Sequence, residues 1–148
     1  GTAFDPHILP SMNSAHMPMT LCAMSALGAS DQQLLAYQSD YSRKLRPWPH
    51  SPALRDWHAG VGEMSRYGAL LPCFQEAMET RGEHVVVAEV LRELIPGLVV
   101  SAFHPLIRLA YGLDFGSTPE VAAGLAYMTA AAISVPIDSR PVDLRQAL

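Results

Sequence analysis

Apolar residues recur along this chain at three- and four-residue intervals, the spacing that lines one side of an α-helix, and strict two-residue alternation is confined to fragments. From Ser14 to Leu27, Met17, Leu21 and Met24 form one stripe with His16, Thr20, Ala23 and Leu27 beside it, and Gly28 stops the run. Ser30 and Gln33 have the spacing of a capping box. They predict a second helix with Leu34, Tyr37, Gln38, Tyr41 and Leu45 on one side, ending at Pro47. The three prolines from Pro47 to Pro52 predict a loop, followed by a short helix from Ala53 to His58, before Gly60 and Gly62 interrupt the chain.

Helical spacing resumes from Glu63 to Arg81 through Tyr67, Leu70, Leu71, Phe74 and Met78, with a kink expected at Pro72. Between Glu83 and Ile95, Val87, Val90, Leu91 and Leu94 face one way while Glu89, Arg92 and Glu93 face the other, and Pro96-Gly97 ends the helix. A further helix is expected from His104 or Pro105 to Leu113. The sequence Ser117-Thr118-Pro119-Glu120 then supplies a cap, a first-turn proline and an early acid for a helix to about Ser134. These segments predict an all-α fold, one helical domain over residues 1–148 with about six helices and an irregular tail over 135–148.

Composition narrows the function. A net charge of −4 without a basic run argues against nucleic acid as a partner. The alanine-rich stretch from Val121 to Ile137 is interrupted by Thr129, Ser134 and Pro136, so it reads as a buried helix and no membrane span is expected. Cys22 and Cys73 lack Cys-x-x-Cys spacing and no signal peptide precedes them, which favours reduced, buried thiols in a cytoplasmic protein.

No His-Glu-x-x-His, nucleotide-binding glycine loop or Gly-x-Ser-x-Gly elbow is present. Among the six histidines, His16 and His104 stand out, in His16-Met17-Pro18 and Phe103-His104-Pro105. Proline steers its predecessor away from α geometry, so these rings are expected to project from helix mouths, where the positive end of the helix favours the neutral, metal-binding form. The plainer reading is that they cap helices or pack in the core. His84 is expected at the core boundary, and His7, His50 and His58 in solvent. Arg108 is a candidate for a substrate anion, with an ion pair to Asp114 or Glu120 as the alternative. Tyr67, Tyr111 and Tyr127 could orient an aromatic ligand or simply pack in the core with a wet tip.

The run Asn13-Ser14-Ala15-His16-Met17-Pro18-Met19, followed by Ala26-Leu27-Gly28-Ala29-Ser30, resembles the opening of the questin oxidase-like family. So do Pro96-Gly97 and the run from Ala102 to Tyr111, with Tyr41, Trp57, Gly60 and Gly62 between them. The resemblance implies a helical oxidoreductase that oxidises or ring-opens aromatic polyketides with oxygen. Some members are described as Baeyer-Villiger-type oxidases, and a related one as a non-haem iron oxygenase with a histidine-rich site and a carboxylated lysine. Only His16 and His104 match the family's metal-binding histidines, and Lys44, the sole lysine, does not match the carboxylated position.

On this reading His16 and His104 ligate non-haem iron, Arg108 and Tyr111 act on an aromatic substrate, and NADPH serves at most as an external reductant. Two imidazoles leave the metal short of ligands, so a homo-oligomer or the C-terminal half of a longer chain is expected to complete the site. The alternative is a non-catalytic small-molecule-binding or interaction domain with an incomplete active site.

Overall fold

A computed structural model describes residues 4–8, 13–97 and 99–133. The expected tail over 135–148 and the last turn expected around Ser134 lie outside the described residues. β1 (His7–Ile8) pairs with β2 (Asn13–Ser14) in antiparallel register, His7 opposite Ser14. Among the described residues six α-helices follow: α1 (Met17–Ala26), α2 (Asp31–Ser42), α3 (Tyr67–Arg81), α4 (Glu83–Leu94), α5 (His104–Asp114) and α6 (Thr118–Ala130). Single 3-10 turns at Trp57–Gly60, Met64–Arg66, Ile95–Gly97 and Val100–Phe103 complete the path. The all-α expectation holds, with the short β1–β2 pair and an isolated antiparallel bridge between Phe4 and Pro47 added to it among the described residues.

Local signals act where they were read. Ser30 accepts the Gln33 amide while the Gln33 side chain takes the Ser30 amide, closing the capping box. Gly82 ends α3 with φ 89°, a conformation that costs glycine little. α3 runs through Pro72, which removes one amide donor; the carbonyl it would have served belongs to Gly68, and Trp48 packs where a Gly68 side chain would be. Other expectations change. The helix from Ala53 to His58 is replaced by the 3-10 turn Trp57–Gly60, in which Asp56 caps the His58 amide. Ser117 stands at the start of α6 without a capping bond from its side chain, and Thr118 donates instead to Glu83. Leu27, expected on a stripe of the first helix, lies just past the end of α1 and is 89% exposed.

The core is built around α6. Every residue from Val121 to Ala130 is buried, so this helix has no solvent stripe and its alanines set how closely its neighbours approach. The crossing with α5 depends on two glycines. A Cβ at Gly124 would stand 2.7 Å from the Leu109 backbone, and one at Gly112 would stand 2.7 Å from the Val121 amide nitrogen. α3 contributes Tyr67, Leu70, Phe74 and Met78, and α4 contributes Val86, Val87 and Val90. A smaller cluster joins Ala15, Met17 and Leu45 to Tyr37 and Tyr41, anchoring the α1–α2 pair. No helix among the described residues is long and apolar enough to cross a membrane.

Candidate functional site

Two chain segments distant in sequence meet at one end of the bundle. His16 is the residue before α1 and His104 is the first residue of α5; their rings stand edge to face with centroids 4.8 Å apart. His16 is exposed, and its amide donates to the Tyr41 hydroxyl at 3.0 Å. Two residues earlier, buried Ser14 shares a 3.0 Å hydrogen bond with the Tyr127 hydroxyl of α6, which also meets His7 Nε2 at 3.0 Å. The approach to His16 is therefore held from α2 and from α6.

His104 is fixed differently from the expectation. It adopts ordinary α geometry at φ −58° and ψ −38°, because the turn into the helix is made earlier by Ser101, Ala102 and Phe103, all at positive φ. Non-glycine residues occupy that region at a cost of roughly 1–2 kcal/mol each. His104 Nδ1 lies 2.6 Å from the Ser101 carbonyl oxygen. A carbonyl only accepts, so Nδ1 carries a proton, which in a neutral ring leaves the lone pair on Nε2, the arrangement of a metal-ligating histidine. Burial, then the facing His104, lowers the pKa of His16, which favours its neutral form.

The pair can fill two positions of a first-row metal. Among the described residues no group of three or more His, Cys, Asp or Glu side chains is gathered for a metal, so the pair is an incomplete ligand set there.

The two residues expected to act on substrate are not brought together. Arg108 is buried at 4% exposure, and its Nε and Nη2 both reach Glu120 Oε2 at 2.8 Å while Nη1 donates to the Tyr67 hydroxyl at 3.3 Å. Burial opposes its charge, and Tyr67 and Glu120 more than restore it. The ion-pair alternative, with Glu120 as partner, is the arrangement the structure adopts. Tyr111 lies two turns beyond His104, about 10 Å along the helix axis. It is half-buried and stacks on Phe115 at 6.4 Å, beside Ala110 and Asp114 in a surface depression.

Two other histidines depart from expectation. His84 is exposed, because α4 turns Val86, Val87 and Val90 inward. His7 is half-buried against Tyr127 with Asp5 at 3.7 Å, a contact made by chain closure that no local pattern signals. His58 is exposed as expected, yet its Nδ1 meets Asp56 at 2.6 Å and its Nε2 meets Glu93 at 2.8 Å. Lys44 is exposed with its ammonium 5.6 Å from the centre of the Tyr41 ring.

The questin oxidase-like family model matches residues 14–141. Baeyer-Villiger oxidase ptaJ of Pestalotiopsis fici is 26% identical over 128 residues, covering 75% of this chain and 28% of that protein. Baeyer-Villiger oxidase AgnL3 of Paecilomyces divaricatus is 31% identical over 125 residues, covering 74% of this chain and 27% of its own. A questin oxidase of Aspergillus fumigatus is 34% identical over 77 residues, 47% of this chain and 17% of the relative. The chain thus spans little more than a quarter of the length of the first two relatives.

Proposed function

The chain belongs to the questin oxidase-like family, and from that premise we propose that it is an oxidoreductase module for oxygen-dependent oxidation or ring cleavage of an aromatic polyketide, with His16 and His104 supplying two ligands of a non-haem iron. The observation that carries the proposal is the 4.8 Å approach of the two rings, with the His104 Nε2 lone pair left available by the bond from Nδ1 to Ser101.

Iron, when bound, would supply electrons to oxygen, with NADPH as an external reductant. The protein's part is to hold two imidazoles in register: Tyr41 and the Ser14–Tyr127 bond fix the approach to His16, and the Ser101 carbonyl accepts the Nδ1 hydrogen bond of His104. Further ligands come from a second copy or from more of a family-length chain. Arg108 serves the site through the scaffold, joining α5, α6 and α3 beneath it.

Purified protein loaded anaerobically with Fe(II) and desalted should retain metal in the wild type and lose it in His16→Ala and His104→Ala. No retained iron in the wild type would sink the metal reading. A second reading, a non-catalytic binding module, draws on the engagement of Arg108 by Glu120 and Tyr67. It expects ligand-induced stabilisation without oxygen consumption, and unchanged binding in His104→Ala.

A further inference from the structure

Beside the Arg108–Glu120 pair lies a cavity of about 190 Å³ between α1, α2 and the start of α6. Met17, Pro18, Leu21 and Cys22 form one wall, the pairs 17/21 and 18/22 each one helical turn apart. Gln38, Ser117 and Glu120 supply the polar groups. None of the four residues expected from sequence to act at the site lines this space.

Glu120 gives the cavity its chemistry. Its side chain is 15% exposed, and the contacts from Arg108 Nε and Nη2 converge on Oε2, which leaves Oε1 the less used acceptor. A carboxylate in such an ion pair accepts hydrogen bonds and does not donate them. The same guanidinium already balances its charge. A cationic ligand would meet Arg108 as well as Glu120, whereas a neutral hydroxyl gains a charge-assisted bond without that repulsion. The apolar wall, with the Met17 thioether, suits a flat hydrocarbon ring.

We propose that this cavity is a binding site for a neutral aromatic molecule bearing a hydroxyl, the ring lying against Met17, Leu21 and Cys22 and the hydroxyl donating to Glu120. The inference rests on the proposed function only in taking the natural ligand to be aromatic. It requires no metal.

The probe is 2-naphthol, with naphthalene as the analogue lacking the donor. Alkylation of Cys22 by iodoacetamide, followed by peptide mass spectrometry, should slow severalfold when 2-naphthol is added. Naphthalene should need about tenfold higher concentration for the same protection, the factor that corresponds to one hydrogen bond to a charged acceptor. Leu21→Trp, which fills the cavity and leaves Arg108 and Glu120 in place, should abolish protection. Since that variant could disturb α1, the wild-type protein provides a second readout: the Met17 and Leu21 methyl resonances should shift with 2-naphthol while those of Met78 and Val90 in the main core stay still.

No protection of Cys22 and no methyl shift at millimolar 2-naphthol would overturn the site, and equal affinity for naphthalene would overturn the role of Glu120. His104→Ala should keep the protection, since His104 does not line the cavity. Loss of binding in that variant would place the ligand elsewhere, while its metal content separately tests the iron reading.

Discussion

His16 stands edge-on to His104 across the junction of α1 and α5, and burial together with that neighbour disfavours a proton on His16. A histidine whose folded-state pKa lies below its ordinary 6.5 contributes stability that is full above 6.5 and is lost as pH falls through the folded pKa. His7, lowered by burial against the opposing pull of Asp5, acts in the same direction. His58 does the reverse. Hydrogen bonds to Asp56 and Glu93 raise its pKa, so its contribution is full below 6.5 and fades as pH rises through the raised value. Urea midpoints between pH 5 and 9 should therefore show a shallower acid limb in His16→Gln and a shallower alkaline limb in His58→Gln. The His58 effect should be small, since its partners are solvent-screened. An unchanged acid limb in His16→Gln would contradict this assignment.

Arg108 and Glu120 should behave as a buried pair. Arg108→Ala leaves the carboxylate without its partner and should cost about 3–5 kcal/mol. Arg108→Met combined with Glu120→Leu should recover most of that loss, because neither charge is then buried. Denaturant titration of the single and double variants measures the coupling; additive losses would show that the two side chains are stabilised independently.

Gly124→Ala places a methyl group where the Leu109 backbone already stands. α5 must move away from α6, and a loss of about 1–3 kcal/mol is expected from chemical unfolding. Gly28→Ala provides the contrast: nothing lies near its side-chain position, so any penalty there comes from its positive φ of 84° alone.

Ala102→Gly should act in the opposite sense. Ala102 sits at φ 50° in the turn that delivers His104, and glycine removes the crowding of Cβ there. A gain of up to about 1 kcal/mol is expected, less the entropy that glycine adds to the unfolded chain. A loss of stability would mean that the alanine methyl makes a contact worth more than the relief.

Much of the scaffold was legible because it is written in neighbouring residues. Ser30 with Gln33, the valines of α4 and the alanine-rich run of α6 each carry their own local cause. The proximity of His16 and His104 was not legible in that way. Helix-start chemistry marked each histidine alone, and only the packing of α1 on α5 joins them. The turn at Ser101–Phe103 runs against local rules altogether, since serine, alanine and phenylalanine are poor residues for positive φ, and because that turn comes first His104 takes α geometry although it precedes a proline. Arg108 looked equally suited to substrate or scaffold until the position of Glu120 one helix away decided its partner.

α6 has a further consequence in time. A helix without a wet face cannot open by itself, because releasing its amides requires α3, α4 and α5 to withdraw first. If native protein is placed in heavy water, the amides of Leu125 to Met128 should be the last to take up deuterium, exchanging only as often as the whole molecule unfolds. Those of α2, which buries no residue fully, should exchange through local openings long before. The slowest clock in the protein then runs along the helix that holds Tyr127 and, through it, the approach to His16.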